Sequence, residues 1–229
     1  MLDTLRRFLT RDRQPVQSLR FYGQFDPPQD QVLYETYFPK TQKGVCLECG
    51  AFDGRMESSC LFFEESLGWS AINVEACPVI YEKLAENRPR SKNFCNALSD
   101  HDGDAVFSLA VHPIHQRLCT NGSLAHTAAH KQLLIDDGCQ FEEYPVKLIT
   151  YKTLISRAKI TRLDLFVLDV EGHELAVLDG MKGAQVMPRV FCIEHGWIDT
   201  DVLDSKLATM GFRKDRLVHN NLVYLHETY

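Results

Sequence analysis

Apolar positions in this chain fall into short solid runs, separated by stretches whose apolar residues recur at helical spacing. From about residue 43 the two kinds alternate to the end. That alternation predicts an α/β sandwich on a mainly parallel sheet. Residues 44–48, 69–75, 92–98, 163–169 and 189–194 read as strands. The run Leu-Asp-Leu-Phe-Val-Leu-Asp at 163–169 has the two-sided apolar character of a central parallel strand. Helices are expected over 30–38, 57–67, 201–210, from Pro78 onward, and on to Arg157 after a strand at 146–150. Another should start at His173 and stop at Gly180 or Gly183. Residues 105–111 look like an added strand, and 212–217 with 221–226 like a terminal antiparallel pair.

The stretch 113–141 breaks this rhythm. It has four histidines in or beside it, His112, His115, His126 and His130, and a Thr-Asn-Gly-Ser turn at 120–123. Excursions of this length in a compact domain are usually functional, so 113–141 is expected to be a lid. Its histidines are irregularly spaced and read as solvated or substrate-facing rather than as zinc ligands. With 229 residues the chain fits an arm and lead-in helix over 1–40 and one domain over 41–229.

Composition narrows the picture without changing it. Hydrophobic residues make up 45% and charged residues 24%, ordinary for a globular domain. The net charge of −6 argues against a broad nucleic-acid surface. Eight scattered cysteines, mostly within apolar runs, read as free thiols in a reducing, cytoplasmic setting. Cys46-x-x-Cys49 lies inside an apolar strand, not at a helix start where a thiolate is favoured. No run approaches the ~20 apolar residues of a membrane helix, and the basic stretch 1–10 lacks the apolar core of a secretion signal.

Candidate chemistry gathers at the strand ends, where open parallel sheets bind ligands. The first strand runs into Glu48-Cys-Gly-Ala-Phe-Asp-Gly54, a turn with Gly50, Ala51 and Gly54 for close backbone approach and two carboxylates, Glu48 and Asp53. A phosphate loop would want glycine amides and a lysine instead. Glu75, followed by Ala76, ends the second strand where an acid accepts ribose hydroxyls. Asn96 and Ala97 follow at the third, placed to border a base. Methionine, ribose and adenine contacts in order suit S-adenosylmethionine. The Gly-x-Gly-x-x-Gly fingerprint of a dinucleotide enzyme is absent. The fourth strand ends in Asp169-Val-Glu-Gly-His-Glu174 and the fifth in Glu194-His195, a charge density that is costly unless it serves a ligand, a proton or a metal.

These motifs resemble the FkbM family of S-adenosylmethionine-dependent methyltransferases. The resemblance rests on residues 48–54, on Leu61-Phe-Phe-Glu64 with Gly68-Trp69 and Val74-Glu75-Ala-x-Pro78, on residues 96–99, and on 169–174 with Leu178, Gly180 and Ile193-Glu194. Phe52 stands where the family has Asn. The resemblance implies a Rossmann-like class I methyltransferase fold, a mainly parallel seven-stranded sheet with helices on both faces and a lid insertion. It also implies O-methylation of a hydroxyl on a sugar, glycoconjugate or polyketide-type molecule. On that expectation Glu48, Gly50, Ala51, Asp53, Gly54, Glu75, Ala76, Asn96, Ala97 and Asp169 hold the cofactor. His173 or His195 is the base, with Asp169 orienting, and Glu171, His173, Glu194 and His195 meet the acceptor. A variant adds a divalent metal on Asp169, Glu171, Glu194 and His195, whose spacing fits no dedicated metal motif. The competing reading is a non-catalytic binding or scaffold module that keeps the fold.

Overall fold

The structure, a computed structural model, describes residues 19–115 and 119–228. The arm at 1–10 lies outside the described residues. In chain order the elements are α1 (Gln29–Tyr37), β1 (Val45–Cys49), α2 (Leu61–Leu67), β2 (Ser70–Glu75), α3 (Pro78–Asn87), β3 (Lys92–Cys95), β4 (Ala97–Ser99) and β5 (Gly103–Val111). They continue with β6 (Gly122–Ser123), α4 (Ala128–Asp136), β7 (Gln140–Thr150), α5 (Tyr151–Ala158), β8 (Leu163–Leu168), α6 (Glu174–Met181), β9 (Pro188–Glu194), α7 (Thr200–Thr209), β10 (Phe212–Val218) and β11 (Asn221–His226).

Seven strands form the main sheet in the order β10-β11-β9-β8-β1-β2-β3. All run parallel except β11, which is antiparallel to both β9 and β10. The order reverses beside β1, so the crevice outside its carboxyl end is where a ligand belongs. Side chains alternate across the sheet, as pleating requires. Phe166 and Leu168 pack with α5, α6 and α7, while Leu165 and Val167 pack with α1 and α2. Every residue of β8 is buried, which is why its sequence reads as continuous.

The expected third strand divides into two. β3 stays in the main sheet, whereas β4 joins a separate four-stranded sheet in the order β4-β7-β5-β6. The break falls at Asn96, whose N–H donates to the Glu75 carbonyl at 3.1 Å. The expected lid is therefore not a loop. Residues 113–141 contain β6, α4 and the start of β7, and belong with β5 to a sheet that packs Phe107, Leu109, Val146 and Leu148 against Ile80 and Cys77 of the α3 start. Helix α2 begins at Leu61, four residues later than expected at 57, because Ser58 and Ser59 are used to dock Glu48. Helix α6 continues through Gly180 to Met181. A Cβ on Gly180 would lie 2.1 Å from the Ser99 carbonyl, so this glycine serves the close packing of α6 on β4 rather than stopping the helix.

Candidate active site

A cavity of about 500 Å³ opens at the carboxyl ends of β1, β2, β8 and β9, under the second sheet. Its size is that of a site for a drug-sized ligand. The turn after β1 is held tightly. Gly50 has φ +81°, and a Cβ there would sit 1.8 Å from the Asp169 carbonyl, so the ends of β1 and β8 close on each other only over a glycine. Phe52 also lies in the left-handed region, at φ +46°. Asn tolerates that conformation better than Phe does, which accounts for the family's Asn. Here the aromatic ring packs instead with the Phe107 and Ile80 group and adds an apolar wall to the cavity.

Glu48 is buried and accepts from Ser58 Oγ and Ser59 N, both at 2.6 Å. Behind it, Arg88, 2% exposed, reaches Glu48, Glu64 and the Gly54 carbonyl. Burial pushes the Glu48 pKa up and the Arg88 charge pulls it back. Glu75 accepts from Phe52 N at 3.0 Å and Cys77 N at 2.8 Å, and burial lifts its pKa to about 7. Ala76, Asn96 and Ala97 line the cavity beside it, with the Asn96 amide donating to the Lys147 carbonyl at 3.2 Å.

The other end of the cavity is acidic. Asp169, Glu171 and Glu194 line it, and each has its pKa raised, first by burial and then by the neighbouring carboxylates. Glu174 is fully buried and bonds back to Val170 N and Gly172 N, closing the loop after β8. One carboxylate oxygen from each of Asp169, Glu174 and Glu194 lies within 4.8 Å of the others, the single such grouping among the described residues. Glu194 Oε1 accepts from Gly196 N at 2.9 Å, while its Oε2 is buried without a partner. His173 also lines the cavity, its Nε2 3.1 Å from Ser99 Oγ, and burial lowers its pKa.

Three expected site residues lie outside the cavity lining. Asp53 is occupied capping its own turn, accepting from Arg55 N and Met56 N at 2.9 and 2.8 Å. Gly54 faces Leu84 and Arg88, where a Cβ would come within 2.7 Å of either. His195 follows Glu194 in an extended segment. It is absent from the cavity lining, and its Nε2 is buried without a hydrogen-bond partner. Trp197, Asn121, Phe107 and Leu109 line the cavity unforeseen. Asn121 falls in the excursion at 113–141 and Phe107 and Leu109 in the added strand at 105–111, whereas nothing in the sequence marked Trp197.

A family model described as the methyltransferase FkbM domain matches residues 48–214. No curated protein matches the chain significantly by sequence. Among solved structures the chain is similar to methyltransferase FkbM from Methylobacillus flagellatus KT, at 13% identity and a TM-score of 0.54 over 87% of this chain and 48% of that one. It thus spans about half the length of that protein. A TehB-like SAM-dependent methyltransferase from Corynebacterium glutamicum aligns at 11% identity and a TM-score of 0.42 over 86% of this chain and 87% of that one. No helix among the described residues is long and apolar enough to cross a membrane. With the family model covering well over half its length, this chain belongs to the methyltransferase FkbM domain family.

Proposed function

We propose that the chain is an S-adenosylmethionine-dependent methyltransferase that O-methylates a hydroxyl of a sugar, glycoconjugate or polyketide-type acceptor. The observation that carries this reading is the acidic lining of the cavity. Glu48, Glu57, Glu75, Asp169, Glu171 and Glu194 line it, and among the described residues no Lys or Arg does. Such a wall offers many acceptor oxygens and no cationic partner for a phosphate, and it favours a nucleoside bearing donors and positive charge. Bound there, S-adenosylmethionine would supply an electrophilic methyl group. Glu75 would hold the ribose hydroxyls, and Asn96, Ala97 and the Phe52–Phe107 side would flank the base. Gly50, Ala51 and the Glu48–Asp169 end would face the methionine portion.

His173 is the proposed base, because its ring lines the cavity and Ser99 Oγ fixes one of its nitrogens. Burial keeps the ring neutral and able to accept a proton. His173→Ala should bind the cofactor and lose turnover by about a hundredfold or more; retention of full turnover removes the assignment. The reading as a whole is tested by calorimetry with S-adenosylmethionine, followed by mass spectrometry of neutral glycans and hydroxylated small molecules for the gain of one methylene. No heat and no thermal shift would favour the non-catalytic module instead.

The bare Glu194 Oε2 beside Asp169 and Glu174 favours a second reading of the acidic end, as the seat of a divalent cation that lowers the pKa of an acceptor hydroxyl. Activity that survives exhaustive chelation excludes it.

A further inference from the structure

We propose that His130, carried by the inserted helix α4 and outside the cavity itself, is a positioning residue for the acceptor, holding Glu171 and Trp197 in the orientation in which they meet it. The inference rests on the methyltransferase reading above and concerns the half of the cavity away from Glu75.

One imidazole joins three wall residues from three separate stretches of chain. Its ring stacks on Trp197, with centroids 4.0 Å apart and planes within 5°. Its Nε2 lies 3.2 Å from Asn121 Oδ1. Its Nδ1 lies 3.8 Å from Glu171 Oε2 and is buried without a hydrogen-bond partner. Asn121, Glu171 and Trp197 all line the cavity, and the indole of Trp197 also donates to Glu171.

Structural filler does not explain this arrangement. Helix α4 buries only His130 and Leu134, and an apolar side chain would dock it without leaving a bare nitrogen. A buried polar atom without a partner is destabilising. Glu171 is also costly: its backbone sits in the left-handed region at φ +54°, a conformation that is sparsely populated outside glycine and gathers at functional sites. A strained residue thus aims a carboxyl at the cavity, and a buried ring with an unused lone pair stands behind it.

The hydrogen bonding sets the tautomer. Asn121 Oδ1 is an acceptor, so Nε2 carries the proton and Nδ1 presents a lone pair towards Glu171, whose pKa is pushed up to about 8 by burial and the acids around it, so that its carboxyl keeps a proton to turn towards that lone pair. Burial and the neighbouring His126 hold the His130 pKa down to about 4, which keeps the ring neutral. The insertion meets the same loop twice more, where Ser123 Oγ donates to the Val170 carbonyl at 3.2 Å and where Gly172 faces the Ala125 carbonyl. The orientation of the acceptor-side carboxyl is therefore set by the cover and not by the main sheet alone.

Two measurements test this. In the first, His130→Phe keeps the ring on Trp197 and removes both nitrogens, and methyl pyranosides serve as acceptor probes. The variant should bind S-adenosylmethionine as the wild type does, lose about tenfold or more in kcat/KM for a glycoside the wild type methylates, and show no further loss when combined with Glu171→Gln. Wild-type kcat/KM, or losses that simply multiply in the double variant, would overturn the proposal. Failure of the wild type itself to bind the cofactor would instead remove the methyltransferase reading. The second measurement needs no variant and no acceptor. In wild-type protein with ¹⁵N-labelled histidine and S-adenosylhomocysteine, the His130 ring should show a protonated Nε2 and a bare Nδ1 at neutral pH. An Nδ1–H tautomer or a doubly protonated ring overturns it.

Discussion

At Glu75 two backbone amides, those of Phe52 and Cys77, already donate to the carboxylate. Ribose hydroxyls would add to an acceptor that is in place before they arrive. Replacing Glu75 by Gln removes the charge and leaves one of those amides facing an NH₂ group. Hydrogen bonds to a charged partner are worth about 1.5–3 kcal/mol, so E75Q should weaken S-adenosylmethionine binding by at least about tenfold in calorimetry, with little change in kcat at saturating cofactor. Gly50 is less forgiving. Its positive φ and the Asp169 carbonyl 1.8 Å from a built Cβ leave no room for a side chain, and Gly50→Ala should abolish the cofactor-induced thermal shift and lower the melting temperature of the free protein. Glu48, Glu75 and Asp169 were legible in the sequence because an acid closing an apolar run stands out. Asp53 stood out equally, yet it caps its own turn. The places of Glu174, Trp197 and His130 were not legible, because their partners come from distant stretches and no local spacing records that meeting.

Among the elements, the strands of the main sheet were the easiest to read. β8 is buried along its whole length, and five apolar residues in six, with Asp164 alone polar, are what a strand covered on both faces requires. β7 was caught only at its end. Its first residues, Gln-Phe-Glu-Glu-Tyr-Pro, are half-buried or exposed, and their strand conformation comes from pairing with β5, which no property of the segment announces. The division of β3 from β4 was hidden for a similar reason, since one strand-like stretch, 92–98, serves two sheets. Two element contacts make predictions of their own. Glycine in a helix interior ordinarily costs about 1 kcal/mol relative to alanine, so Gly180→Ala should stabilise an isolated α6. In the folded chain the new Cβ meets the Ser99 carbonyl, and chemical denaturation should show a net loss of stability. At the end of α3, Arg88 ties α2 to β1 through Glu64 and Glu48. Breaking a buried network by removing one partner typically costs about 3–5 kcal/mol. Lysine cannot reproduce the guanidinium fork, so Arg88→Lys should lose a large part of that in the same measurement.

For the molecule as a whole, the buried acids set the response to pH. Glu75 is raised from 4.5 to about 7 and Asp30 from 3.8 to about 6, both chiefly by burial. Asp169, Glu171 and Glu194 move in the same direction. The folded state therefore keeps protons that the unfolded chain gives up. Its advantage is complete below the unfolded pKa values and is lost as pH rises through the folded ones, at about 1.4 kcal/mol per pH unit for each excess proton. The melting temperature of the ligand-free protein should fall between about pH 5 and pH 8, while the gain from S-adenosylmethionine grows, because a cation is best held by charged carboxylates. Melting curves that are flat across that window would contradict the burial of these groups. The second sheet carries a different kind of consequence. Beyond β4, its β5-to-β7 block starts at Gly103 and comes back at Leu148, and these two residues are neighbours in the β5–β7 register. A block whose two ends already touch is separable by inheritance. A recombination event exchanging residues 103–148 would set a new cover over the strand-end acids Glu48, Glu75 and Asp169 without rethreading the chain, provided the incoming block brought an apolar side chain in place of Phe107 and a ring for Trp197.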